Sequence, residues 1–125
     1  FISFKKLIPP ERICPIMILT NKIEDKLSSG TAQERVPASP IRQGNQRAVN
    51  IDPGYLDLAK LVLASTKDYA HRVYLDKGIY AEITLFYQGK SFQAWLWTYP
   101  DFRTKDYIAI FNQIRKIYAG QKQAS

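Results

Sequence analysis

Lys67, Asp68, His71 and Arg72 form the densest group of chemically capable side chains in this sequence. A histidine beside a carboxylate can move a proton as a general acid or base, so His71 and Asp68 are the candidate catalytic pair. Lys67 and Arg72 could hold an anionic substrate. Glu82 joins the group if a hairpin sets it opposite Arg72. The plainer alternative is that Arg72 and Glu82 merely pair across strands while His71 packs at a sheet edge. We favour it, because no nucleophile is fixed beside the histidine. A second group, Asp52, Tyr55, Trp97, Tyr99, Asp101 and Arg103, falls at turns, where binding residues gather. There Trp97-Thr98-Tyr99-Pro100-Asp101 is either a stacking platform for a planar ligand or a staple between the last helix and the sheet, and the staple is preferred.

Two fragments invite a nucleotide reading. Met17 to Glu24 is an apolar run feeding Asn-Lys-x-acid, which resembles the guanine-specificity element of GTPases, and Gly89-Lys90-Ser91 resembles the end of a phosphate loop. That loop needs an earlier glycine so that backbone amides can wrap the phosphates. Thr84 stands at that position, and the stretch after Ser91 is too short for the helix that should follow. A hairpin turn explains Gly89 better. Cys14 has neither a second cysteine nor a nearby histidine, so it reads as a buried thiol and no metal site is expected.

Charge and composition narrow the classes. The net charge of +7 is spread along the chain, with eight basic and four acidic residues in 1–47 and ten against seven in 48–125. No basic run exceeds two residues, so nucleic acid is not an expected partner. No stretch is apolar enough to span a bilayer and no secretory signal is visible, so a cytoplasmic location is expected. With 46% hydrophobic and 13% aromatic residues in 125, one domain with its own core is the default. The chain opens on Phe1 and enters an apolar run at once, which suggests the C-terminal part of a longer protein.

The elements that must position these residues follow from periodicity. Pro9-Pro10-Glu11 reads as a helix start, and Ile13, Ile16, Leu19 or Thr20, Ile23 and Leu27 continue at helical spacing to about Ser28-Ser29-Gly30. Pro15 implies a later start or a bend. Residues 30–47 are poor in bulky apolar groups and read as a flexible surface loop. Ala48 to Ile51 is a short strand candidate, Asp52-Pro53-Gly54 a turn, and Lys60 to Ala64 a strand.

A β-meander over about 70–96 comes next. A three-residue loop Asp76-Lys77-Gly78 would pair Leu75 with Ile79, Val73 with Ala81, Tyr74 with Tyr80 and Arg72 with Glu82. A turn through Gln88-Gly89 would pair Leu85 with Phe92 and Ile83 with Ala94. One face then carries Val73, Leu75, Ile79, Ala81, Ile83, Leu85, Phe92 and Ala94. The other carries Tyr74, Tyr80, Phe86, Trp95 and Trp97 among polar residues, too apolar for a wetted face. The last helix is capped by Thr104, carries Asp106 in its first turn and ends at Gly120. The fold class expected is α+β, a mostly antiparallel sheet packed by an N-terminal and a C-terminal helix.

Five ordered motifs carry a family resemblance: Asn50-Ile51-Asp52-Pro53-Gly54-Tyr55, Lys60-Leu61-Val62-Leu63-Ala64, Thr66-Lys67-Asp68-Tyr69-Ala70-His71-Arg72, Gly78-Ile79-Tyr80-Ala81-Glu82 and Trp97-Thr98-Tyr99-Pro100-Asp101. They resemble the C-terminal part of an uncharacterised prokaryotic family catalogued as domain of unknown function 4416. The resemblance implies a further N-terminal α/β segment and a shorter connection than residues 30–47. Many members bear the label GTP-binding protein, which the Thr84 departure leaves without support. It implies no established activity and no known cofactor. The functional expectation is a binding module that holds an anionic or planar ligand, or a protein partner, through Asp52, Lys67, Arg72, Tyr80, Glu82, Trp97, Tyr99, Asp101 and Arg103. The alternatives are an enzyme using His71 with Asp68, and a GTP-binding protein.

Overall fold

The computed structural model describes residues 2–32 and 50–124. After a single 3-10 turn at Pro10–Arg12, α1 runs over Ile13–Ala32. Pro15 falls in the first turn of α1, where a missing backbone N–H costs little. The helix continues past Ser28-Ser29-Gly30, so residues 30–32 are helical rather than loop, and the rest of the expected loop lies outside the described residues. The strands are β1 (Gly54–Leu56), β2 (Lys60–Ser65), β3 (Arg72–Asp76), β4 (Ile79–Gln88) and β5 (Ser91–Ala94), followed by a helical turn α2 (Pro100–Arg103) and a long α3 (Lys105–Ala124). The fold is α+β, with one antiparallel five-stranded sheet and helices at both ends of the chain.

All the pairings are antiparallel and run β1-β2-β4-β3, with β5 also on β4. β4 meets β3 at residues 79–82 and β5 at residues 85–88, while β2 occupies its opposite edge. So β3 and β5 lie end to end along one edge of β4. Asn50 and Ile51, half of a strand candidate, are not in a strand, and the other half lies outside the described residues. Gly54 opens β1 instead of closing a turn. A Cβ there would stand 2.5 Å from the Val62 carbonyl oxygen and 2.6 Å from Leu63 Cδ2, so glycine is needed for close strand approach.

The hairpin registers differ in detail from expectation. Arg72 faces Glu82, Val73 faces Ala81 and Tyr74 faces Tyr80, but Asp76 replaces Leu75 opposite Ile79 and Leu75 bulges. The turn is the two residues Lys77 and Gly78, both left-handed at φ 51° and 78°, which matches the strand twist better than a longer loop. At the other end Gly89-Lys90 is the turn, and Leu85 pairs with Ala94 and Tyr87 with Phe92. That shift by two residues leaves the sides unchanged.

A bulge in β4 has the larger effect. Leu61 and Val62 are consecutive on β2, yet their partners are Leu85 and Ile83, so Thr84 is an extra residue. Neighbours on a strand point to opposite sides, and therefore so do Ile83 and Leu85. The single core face and single aromatic face expected from unbroken alternation do not exist. Two cores form instead. Ile13, Cys14 and Met17 of α1 pack on Ala64, Ile79 and Tyr55. Phe111, Ile108 and Ile114 of α3 pack on Leu56, Leu61, Leu85 and Phe92 from the other side. The two helices thus sandwich the sheet. Thr104 caps α3, its Oγ1 accepting the Tyr107 N–H at 3.2 Å, and the helix passes through Gly120 to Ala124. Among the described residues no helix is long and apolar enough to cross a membrane.

Candidate functional site

The site begins where β1 stops. β1 covers β2 only from Leu61 to Leu63, and the Ala64 N–H then donates to the Pro53 carbonyl as the chain enters β1. Beyond that point the sheet edge opens into a cleft of about 250 Å³. Met17, Asn21 and Glu24 line it from α1, Tyr99 and Phe102 from around α2, and Asp52, Lys67, Arg72 and Glu82 from the strands and loops between. Both layers of the sandwich contribute a wall.

Glu82 anchors the cleft's polar floor. It is buried, and Oε1 accepts from Arg72 Nε at 3.1 Å and lies 2.9 Å from His71 Nε2, while Oε2 accepts from Thr84 Oγ1 at 2.9 Å. A carboxylate acceptor requires the hydrogen of His71 to sit on Nε2. Arg72 spends its other arm on Ser65 Oγ and the Lys67 carbonyl, and its guanidinium lies 4.4 Å over the Tyr69 ring. The opposite charges of Glu82 and Arg72 are thus met inside the protein, as buried ions require. Glu24, from the Asn-Lys-x-acid fragment, is also buried. It accepts the Ile51 N–H at 2.7 Å and so ties α1 to the chain entering β1.

The sequence candidates therefore divide. Asp52, Lys67, Arg72, Glu82 and Tyr99 line one cleft. His71 stands behind it on Glu82. Its carboxylate partner is Glu82 rather than Asp68, which is exposed and makes no hydrogen bond to it, so the His71–Asp68 pair is not assembled. Tyr80 lies edge-on to Tyr74 at 5.3 Å, on the opposite side of β4 from Phe86, and does not line the cleft. Asp101 is exposed at the start of α2, where it complements the helix N-terminus.

Trp97 and Arg103 have another task. Between β3 and β5, residues 83 and 84 of β4 have no strand beside them on that edge. Trp97 Nε1 donates to the Ile83 carbonyl at 3.1 Å and Thr98 Oγ1 to the Thr84 carbonyl at 2.7 Å. Arg103 in turn donates to the carbonyls of Trp95, Leu96 and Thr98. The segment 95–98 is thus a plug in a gap of the sheet, held by α2. Around it a run of rings, Phe86, Trp95, Trp97, His71 and Tyr69, stacks at successive centroid distances of 4.1, 5.0, 5.3 and 5.9 Å. Sequence reasoning missed Asn21, Glu24, Asn50, Ser65 and Thr66 in the cleft lining. Only the charge of Glu24, three positions after Asn21 on one helix face, was a usable signal.

The nucleotide fragments take other roles. Asn21-Lys22 is mid-helix in α1, Gly89-Lys90 is a hairpin turn, and Thr84 is the bulged residue of β4. These segments form no phosphate loop. Among the described residues no three histidine, cysteine, aspartate or glutamate side chains cluster as metal ligands.

The profile of a family described as Domain of unknown function (DUF4416) matches residues 1–118. The chain belongs to this family. No curated protein and no solved structure matches it. The family match spans α1, the whole sheet and most of α3, so the cleft and the plug are both built within the matched region.

Proposed function

We propose that this DUF4416 domain is a small-ligand binding module and that the cleft at the β2 edge is its site. The observation that carries the reading is the convergence of Asp52, Lys67, Arg72, Glu82 and Tyr99, from five different segments, on one concavity. Arg72 and Glu82 neutralise each other and make a rigid floor, which leaves Lys67 to meet an anionic group and the exposed Tyr99 ring to cover a planar one. A cleft of about 250 Å³ suits a metabolite smaller than a drug-sized ligand.

The test is a thermal-shift screen of small carboxylates, phosphates and planar heterocycles. A ligand at about 100 times its dissociation constant adds about 2.7 kcal/mol to stability, which raises the melting temperature by several degrees. Lys67→Gln and Tyr99→Ala should each diminish that rise. A hit indifferent to both substitutions would place binding elsewhere and remove the proposal.

A further inference from the structure

Among the described residues, the hydrogen bonds of the cleft leave two opposite charges without a partner. Glu82 and Arg72 are saturated by each other, His71, Thr84 and Ser65, and Glu24 holds the Ile51 N–H. The side chains of Asp52 and Lys67 line the same cleft, yet they form no ion pair or hydrogen bond with each other or with any other described residue. Among the described residues, the side chains of Asn21, Asn50, Thr66 and Tyr99 have no hydrogen-bond partner either. A purely anionic ligand would satisfy Lys67 but sit beside an unmet carboxylate, and a purely cationic one would meet the converse penalty. A ligand carrying both charges satisfies both groups.

We infer that the cleft takes a small zwitterion of the amino-acid class, its ammonium toward Asp52 and its carboxylate toward Lys67. This rests on the binding reading above. No other charge in the cleft is free to discriminate, because the floor is already internally neutralised. Specificity then lies in charge placement at the rim.

The experiment is a thermal-shift panel of free amino acids, each run beside its N-acetyl and C-terminal amide derivatives, with phosphate, acetate and succinate as plain anions. The expected result is that at least one free amino acid raises the melting temperature while neither of its derivatives does. Asp52→Asn and Lys67→Gln should each weaken the apparent affinity about tenfold or more, as loss of a charged hydrogen bond does. Both residues are exposed and have no side-chain partner among the described residues, so both variants should keep the fold, checked by an unchanged melting temperature without ligand. Stabilisation by plain anions that Lys67→Gln abolishes and Asp52→Asn leaves intact would overturn the zwitterion while the binding cleft stood. A panel with no stabilising compound would overturn the zwitterion and leave the cleft to the wider screen above, and an effect that survives both substitutions would overturn both.

Discussion

The two halves of β4 solve the same packing problem with different chemistry. Before the bulge, Glu82 faces the side of the sheet that carries Leu63 and Ser65 and is held by Arg72, His71 and Thr84. After it, Leu85 lies on that same side and disappears completely beneath Phe92 and Phe111. One extra residue separates an ionic interior from an apolar one. The comparison teaches that the polar half is specified by partners and the apolar half by shape. A buried charge tolerates no missing partner, whereas an apolar cavity can partly collapse.

Substitutions can break that comparison. The largest effect is expected for Glu82→Ala, which leaves the Arg72 guanidinium buried and uncompensated. It should cost about 3–5 kcal/mol, read from the urea midpoint, and the paired variant Glu82→Gln with Arg72→Met should be milder than Glu82→Ala. If the pair is no milder, the ionic half is not held by charge compensation. Leu85→Ala should follow at about 2–5 kcal/mol without rescue by any change in the polar half. Thr98→Val comes third. It strands the Thr84 carbonyl at the gap and should cost about 1–3 kcal/mol, with the fluorescence of the stacked Trp95 and Trp97 reporting the loosened plug. Asp68→Asn should be smallest, within about 0.5 kcal/mol, since it is an exposed change away from the buried network.

How much of this was legible depended on whether a feature leaves a mark on side chains. The Arg72–Glu82 pairing could be read because opposite charges sit at hairpin spacing around a Lys-Gly turn. The cap at Thr104 and the helix α3 could be read from one hydroxyl and a regular apolar repeat. The bulge could not. An extra residue in a strand has no composition of its own, and Thr84 looks like any β-branched strand residue. Missing it put Leu85 and Ile83 on one face and created an aromatic face that the molecule does not have. Gly120 misled for a related reason, because a glycine near a helix end is as compatible with a tolerated exposed position as with a stop.

The cleft was half legible. Asp52, Lys67, Arg72 and Glu82 stand out by their chemistry, while Glu24 and the neutral Asn21, Asn50 and Thr66 join them only when α1 and the β2 edge are brought together. For Trp97 and Arg103 the sequence leaves two readings open, a ligand contact and, for the Trp97 segment, the preferred staple between sheet and last helix, because aromatic and guanidinium groups at turns suit both. Their hydrogen bonds go to backbone carbonyls that a neighbouring strand would otherwise have met.

β4 is flanked by β2 on one edge and by β3 and β5 in succession on the other. Its amides are therefore shielded from both directions over most of its length, as are those in the middle of β2 between β1 and β4. No partial opening can expose it without first detaching a neighbour, so its slowest amides should exchange with deuterium only through global unfolding, while β1 and the outer rim of β3 exchange through cheaper local excursions.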